Sequence, residues 1–213
     1  MAEPGAEQAQ QHYFTARPAT DAAARQVTLR DAGQTITLAS AAGVFSAGHL
    51  DAGTKILLDT VPPPRPDSVV LDLGTGYGPI ACVLGLRQPS VTVWAVDVNE
   101  RALALARQNA VDLQLPGVRP ALPAEVPDEV RFDAVYSNPP IRVGKAVLHE
   151  MLSSWLGRLR PGGHAYLVVH KHLGSDSLQR WLIEQRYPTT RLTSVRGFRV
   201  LDVRAPDQPA RDA

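Results

Sequence analysis

Two periodicities take turns along this chain. Gln26–Arg30 and Gln34–Leu38 alternate apolar with polar residues around Asp31-Ala32-Gly33, a pattern that predicts a short β-hairpin. Leu50 to Thr60 reads as a helix, stopped by Val61-Pro62-Pro63-Pro64, where proline offers no N–H to continue the ladder. Buried apolar runs then alternate with amphipathic stretches. Ser68–Leu73, Val91–Asp97, Phe132–Ser137 and Ala165–His170 are expected as strands. Helices are expected over Pro79–Arg87, Asn99 to about Asp112 (Asn99 as N-cap), Lys145–Leu159 and about Asp176–Gln185. Leu115 to Glu129 is proline-rich, with room for one short strand near Val118–Leu122, and Pro161-Gly162-Gly163 is expected to turn the chain into its next strand. Thr189–Val195 and Phe198–Val203 close the chain as a hairpin around Arg196-Gly197.

Strands that alternate with helices predict a parallel sheet with helices on both faces. A hairpin after the last helix forces one antiparallel strand. The expected fold is therefore α/β and Rossmann-like: a seven-stranded, mostly parallel sheet with a C-terminal antiparallel hairpin, preceded by a small N-terminal β-hairpin. A length of 213 residues suits one such domain. We place it at residues 12–204, with the hairpin and first helix in 12–60 and the core in 61–204. Residues 1–11 and 205–213 are expected as disordered tails.

Composition narrows the picture modestly. No apolar run approaches the roughly 18 residues that cross a bilayer. The start lacks the basic-then-apolar pattern of a signal peptide, so a cytoplasmic protein is expected. Cys82 is the only cysteine and sits among Ile80, Ala81, Val83 and Leu84, which suits a core residue. The net charge of +1 carries no strong signature for nucleic acid. Arginine outnumbers lysine heavily, but Ala and Pro are rich as well, and a compositional bias accounts for all three.

The chemistry is concentrated in two motifs. Leu71-Asp72-Leu73-Gly74-Thr75-Gly76-Tyr77-Gly78-Pro79 ends the first core strand, at the edge of an open parallel sheet where ligands bind. Glycine there lets a ligand approach the backbone and permits positive φ. Asp97, ending the second core strand, can accept both hydroxyl hydrogens of a ribose, and Asp72 can attract ammonium and sulfonium charge. The spacing is Gly-x-Gly-x-Gly, an acid precedes it where a pyrophosphate would be repelled, and the closing hairpin departs from dinucleotide-binding domains. These features point to S-adenosylmethionine. The second motif, Asn138-Pro139-Pro140-Ile141, ends the fourth core strand. The Asn138 side-chain oxygen and the Pro139 carbonyl can accept the two hydrogens of a planar amine, favour its pyramidal form and aim its lone pair at a methyl group. Two prolines stiffen the clamp. No general base is needed, because the proton can leave after transfer. Ile141 can pack on the ring face of a target.

Taken together, His12-Tyr13-Phe14, Gly43-Val44-Phe45-Ser46, Leu50-Asp51-Ala52-Gly53, the glycine turn through Ile80, Asp97-Val98-Asn99-Glu100-Arg101-Ala102 and Asn138-Pro139-Pro140-Ile141-Arg142 resemble the small-domain (MTS) methyltransferases related to bacterial 16S ribosomal RNA guanine-N2 methyltransferases, in their short single-domain form. The resemblance implies a donor site of Phe45, Asp72, Gly74, Thr75, Gly76, Gly78, Asp97, Val98 and Asn138. It also implies an amine clamp of Asn138 and Pro139 backed by Pro140 and Ile141, S-adenosylmethionine as cofactor, no metal, and ribosomal RNA or the small ribosomal subunit as partner. One departure stands out: where relatives often carry an acid that contacts the adenine amine, this chain has Pro123 and Ala124, with Glu125 displaced. Arg142, Lys145, His149 and His170-Lys171-His172 would meet RNA phosphates at the same edge, and Tyr13 and Phe14 could stack on exposed bases. Two other readings remain open: methylation of another planar amine (adenine N6 or a glutamine side chain), and a non-catalytic ribosome-assembly protein with a vestigial pocket.

Overall fold

A computed structural model of the chain describes residues 24–41 and 49–206. The expected tail 1–11 and the sites Tyr13, Phe14 and Phe45 lie outside them. The first described element is the expected hairpin, β1 (Ala24–Asp31) and β2 (Gln34–Ala41), paired antiparallel. Ala32 and Gly33 both take positive φ at its turn, +45° and +82°, as a tight two-residue connection demands.

Helix α1 (Ala52–Thr60) leads into the core, which runs β3 (Val69–Leu73), α2 (Pro79–Arg87), β4 (Thr92–Val96), α3 (Glu100–Asp112), β5 (Val118–Ala121), β6 (Phe132–Ser137), α4 (Lys145–Leu156), β7 (Leu159–His170), α5 (Ser175–Glu184), β8 (Thr189–Val195) and β9 (Phe198–Arg204). The seven strands line up as β5-β4-β3-β6-β7-β9-β8. All are parallel except β9, which inserts antiparallel between β7 and β8. From β3 the chain steps outward to β4 and β5, then returns to the other side of β3 for β6. The strand order thus reverses between β3 and β6, and ligands of open α/β sheets bind outside the carboxyl ends at such a point.

Two apolar layers hold the sheet. Hairpin residues Val27, Leu29, Ile36 and Leu38 share one layer with Leu57, Ile80, Val83, Leu84 and Ala102, so α1, α2 and α3 cover that face. On the other face Leu148, Leu152, Trp155, Leu178 and Leu182 bring α4 and α5 against Leu71, Leu73, Val135 and Leu167. Cys82 is fully buried in the first layer, and burial pushes its thiol up to about 12. That suits packing and not nucleophilic work.

The hairpin is fixed to the site region by polar contacts that periodicity does not reveal. Buried Asn109 donates to the carbonyls of Ala39 (3.0 Å) and Tyr77 (2.8 Å) and accepts from the Ala39 amide (2.7 Å), joining β2, α3 and the glycine turn. Removing it would leave the buried Tyr77 carbonyl short of a partner, at about 1–3 kcal/mol, along with the two half-buried backbone groups of Ala39. Arg87 grips Asp31 and also donates to the Leu58 carbonyl at 2.8 Å.

Three boundaries depart from the sequence reading. Helix α4 stops at Leu156 and not Leu159, with Gly157 at its end. Strand β7 starts early, at Leu159 opposite Phe132, and resumes pairing at His164 opposite Ala134. Pro161-Gly162-Gly163 is therefore a bulge inside the strand, permitted by Gly162 at φ +71°. At the C-terminus, Ala205 is buried and its amide donates to the Gly163 carbonyl at 2.9 Å, so the packed chain extends one residue past β9.

Among the described residues no helix is long and apolar enough to cross a membrane. A shallow groove of about 390 Å³ beside Trp94, Arg119, Arg131 and Arg160 includes Val69 and Thr92, the first residues of β3 and β4. It lies toward the amino ends of the strands, away from the switch point.

Candidate functional site

The glycine turn is built by the ends of β3 and β4 together. The amides of Gly74 and Thr75 both donate to the Val96 carbonyl, at 2.8 and 3.0 Å, and the Gly76 amide donates to Asp97 Oδ2 at 2.9 Å. Gly74, Gly76 and Gly78 all take positive φ. A Cβ on Gly74 or Gly76 would meet nothing within 4 Å, so a side chain there would fill the space above the turn. Gly78 differs from the other two: a Cβ on it would lie 3.1 Å from Ala106 Cβ. Its glycine lets α3 pack close.

Asp72 grips the turn from beneath. It is fully buried, and its Oδ2 accepts from Thr75 Oγ1 at 2.6 Å and from the Ala81 amide at 3.0 Å. Thr75 is likewise buried, so its side chain serves the turn. Asp72 Oδ1 has no partner among the described residues. Burial pushes this carboxyl up to about 7, against the bonds from Thr75 and Ala81, with Asp97 adding to the rise. The sign follows from linkage. Between about pH 4 and 7 the folded protein holds a proton that the unfolded chain has released, so this group's contribution to stability falls as pH rises through that window. We expect urea unfolding of the ligand-free protein to show a loss of up to a few kcal/mol from this source between pH 4 and 8. Asp72→Asn should flatten that slope, and an unchanged slope would refute the assignment.

Asp97 is half-buried, and burial raises its pKa against bonds from the Asn99, Gly76 and Val98 backbone. Its Oδ2 takes the Gly76 amide and its Oδ1 the Asn99 amide at 2.9 Å. Each oxygen keeps a further lone pair. Asn99 is the N-cap of α3, accepting from Arg101 and Ala102 amides, so the motif after β4 sets helix and carboxylate at once. Val98 beside it is 42% exposed, an apolar edge at the rim.

Across the switch point, Ser137 Oγ donates to the Leu73 carbonyl at 2.7 Å and locks the ends of β6 and β3 together. Asn138 follows. Its side-chain nitrogen donates to Asp51 Oδ1 at 2.6 Å and to Thr54 Oγ1 at 3.1 Å. A carboxylate only accepts, so the amide nitrogen faces Asp51 and both of its hydrogens are engaged. No donor among the described residues reaches the Asn138 oxygen. The Pro139 carbonyl accepts from the Ile141 amide at 2.8 Å and retains its second lone pair. Ile141 is half-buried against the second apolar layer.

The cations expected at this edge divide. Lys145 and Lys171 are exposed at the starts of the segments leaving β6 and β7; the side chain of Arg142 is outside the described set. His149 stacks on Trp181 with ring centroids 3.9 Å apart, and burial together with Lys145 lowers its pKa, which disfavours the charged form that would pair with a phosphate. Arg196, overlooked in the sequence, is exposed on the β8–β9 turn at the same edge. Asp51 and Thr54 were also overlooked as partners of Asn138; both fall inside the helix expected over Leu50 to Thr60.

The residues fit S-adenosylmethionine. Open space lies over Gly74 and Gly76, an unpaired buried carboxylate oxygen below suits a cationic ligand, and Asp97 has acceptors left for hydroxyl groups. Glu125, displaced from the place where relatives carry an adenine-side acid, turns its Oε2 back to accept the Leu122 amide at 2.7 Å. Among the described residues there is no cluster that could hold a metal.

Comparison with known proteins agrees with this geometry. Residues 35–202 match the methyltransferase small domain family. An uncharacterized protein of Bacillus subtilis, YbxB, is 31% identical over 170 residues, covering 78% of this chain and 85% of its own. The ribosomal RNA large subunit methyltransferase G of Shewanella loihica is 34% identical over 157 residues, 65% of this chain but 38% of that protein. Among solved structures, the T. thermophilus 16S rRNA N2 G1207 methyltransferase (RsmC) in complex with AdoMet and guanosine superposes with a TM-score of 0.74 at 26% identity, over 88% of this chain and 52% of that one. The chain thus spans about half or less of the two named ribosomal RNA enzymes and most of YbxB. Methyltransferases of this class use S-adenosylmethionine. With the match running from the N-terminal hairpin to the last strand, the chain belongs to the methyltransferase small domain family.

Proposed function

We propose that this protein, acting as one domain over residues 12–204, methylates an exocyclic amine of a ribosomal RNA base, guanine N2 of 16S RNA in particular. The observation that carries the reading is the orientation of Asn138. Its nitrogen is engaged by Asp51 and Thr54, so the oxygen is the side-chain atom left to receive a partner just beyond β6. The group received there must be a donor, and an exocyclic amine offers two hydrogens. The Asn138 oxygen and the second lone pair of the Pro139 carbonyl would take them, which weakens conjugation of the nitrogen lone pair with the ring. S-adenosylmethionine supplies an electrophilic methyl when bound over Gly74 and Gly76. Asp97 holds the turn and the ribose, while Lys145, Lys171 and Arg196 would meet flanking phosphates. The relative solved with AdoMet and guanosine supports guanine over adenine.

Nucleoside mass spectrometry of ribosomal RNA from a strain lacking the gene tests this. N2-methylguanosine should fall in the 16S fraction and return on complementation. Loss of N6-methyladenosine instead, or no change in any methylated base, would overturn the guanine reading.

A further inference from the structure

Leu50-Asp51-Ala52-Gly53 is among the residues that resemble the small-domain methyltransferases, and Asp51 does more than start α1. As N-cap it accepts the Thr54 amide on Oδ1 at 3.0 Å, and the same oxygen accepts the Asn138 side-chain nitrogen at 2.6 Å, across 87 residues of sequence. Thr54, buried one turn into α1, supplies the second acceptor to that nitrogen. Gly53 makes room: a Cβ there would lie 3.0 Å from Asp51 Oδ1 and 2.9 Å from the ring of Phe198 on β9.

We infer that Asp51, assisted by Thr54, is a positioning residue that sets the polarity of the amine clamp. A carboxamide can turn over about its last bond, exchanging oxygen and nitrogen with little change in shape. In one orientation it receives an amine; in the other it presents N–H groups to the target and repels it. With both hydrogens held by Asp51 and Thr54, the receiving orientation is fixed before substrate arrives, which is the preorganisation that makes an acceptor effective. The consequence for turnover rests on the methyl-transfer reading, whereas the tether itself is independent of it.

Asp51→Ser separates the two tasks, since serine still caps the helix but is too short to reach Asn138. We expect kcat to fall about 10- to 100-fold, with the Kd for S-adenosylmethionine within about two-fold. In an Asn138→Ala background the same change should add nothing. Asp51→Asn, which keeps an acceptor oxygen, should recover most of the lost turnover. Thr54→Val, which leaves the cap intact, should weaken turnover in the same direction and serves if the serine variant folds poorly. A second readout does not use activity: the Asn138 side-chain amide protons should exchange slowly in the parent protein by NMR and rapidly in Asp51→Ser. Parental turnover in both Asp51→Ser and Thr54→Val would overturn the inference, as would losses that multiply in the double variant or amide protons that exchange equally fast in both proteins. If Asn138→Ala itself retained full turnover, the clamp would drop out of the mechanism, and the exchange measurement would still decide the tether.

Discussion

Asn138→Ala should lower the proposed methyl transfer to ribosomal RNA by about 10²- to 10³-fold, the usual cost of losing one preorganised polar group at a reacting centre, and leave the fold in place. The structure explains why the two effects separate. Ser137 still joins β6 to the Leu73 carbonyl, and Asp51 still caps α1 through Thr54. The lost contacts lie at a half-buried rim, so unfolding free energy should change by only about 1 kcal/mol. Transfer from radiolabelled donor, run beside thermal unfolding, checks both halves. Near-parental turnover in a folded Asn138→Ala protein would remove the clamp from the mechanism. Asn138→Asp should be no substitute. It would place a second carboxylate within hydrogen-bonding distance of Asp51, where one of the pair must take up a proton or move apart. A carboxamide is suited here because its nitrogen can be tied to an acid while its oxygen faces the target.

The parts of this site that were legible in the sequence are those carried by one strand end at a time. Gly74, Gly76 and Asp97 sit at the ends of β3 and β4, where local pattern and the rule for parallel sheets place them. The alternation of strands and helices gave the layer order and the closing hairpin. What stayed hidden depends on distant side chains meeting. Asn109 looks like an ordinary polar position on an amphipathic helix, and only its contact with Ala39, 70 residues away, gives it a task. Asp51 falls inside the helix expected over Leu50 to Thr60, and its hold on Asn138 crosses 87 residues. The early end of α4 and the bulge in β7 were obscured for a different reason: Pro161-Gly162-Gly163 signals a turn, but pairing of Leu159 with Phe132 pulls the residue before that turn into the sheet. In the sequence Arg196 is one half of the turn between the last two strands. Its importance as a charge follows from β9 running antiparallel, which returns the β8–β9 turn to the carboxyl edge.

Asp97→Ala should raise the Kd for S-adenosylmethionine by about 100-fold or more, the largest single loss expected on the donor side. Two causes add. Hydroxyl groups of the ligand lose a charged acceptor, a contact worth about 1.5–3 kcal/mol. The turn also loses its order, because the Gly76 and Asn99 amides both depend on this carboxylate at 2.9 Å. With those amides released, the turn loses part of the hold that keeps it open above Gly74 and Gly76, and ordering it again on binding lowers affinity further. Asp97→Asn removes the charge and one turn contact without changing the size of the side chain. One amide oxygen can still accept, but the nitrogen that replaces the other oxygen faces a backbone N–H and cannot bond to it. Its affinity should therefore fall nearly as far as that of alanine, although size is unchanged. Calorimetric titration of both variants measures the effect, with thermal unfolding reporting the loss from the turn alone. Parental affinity in Asp97→Ala would mean that the ligand is held elsewhere, and the assignment of the β3–β4 edge as the donor site would fail with it.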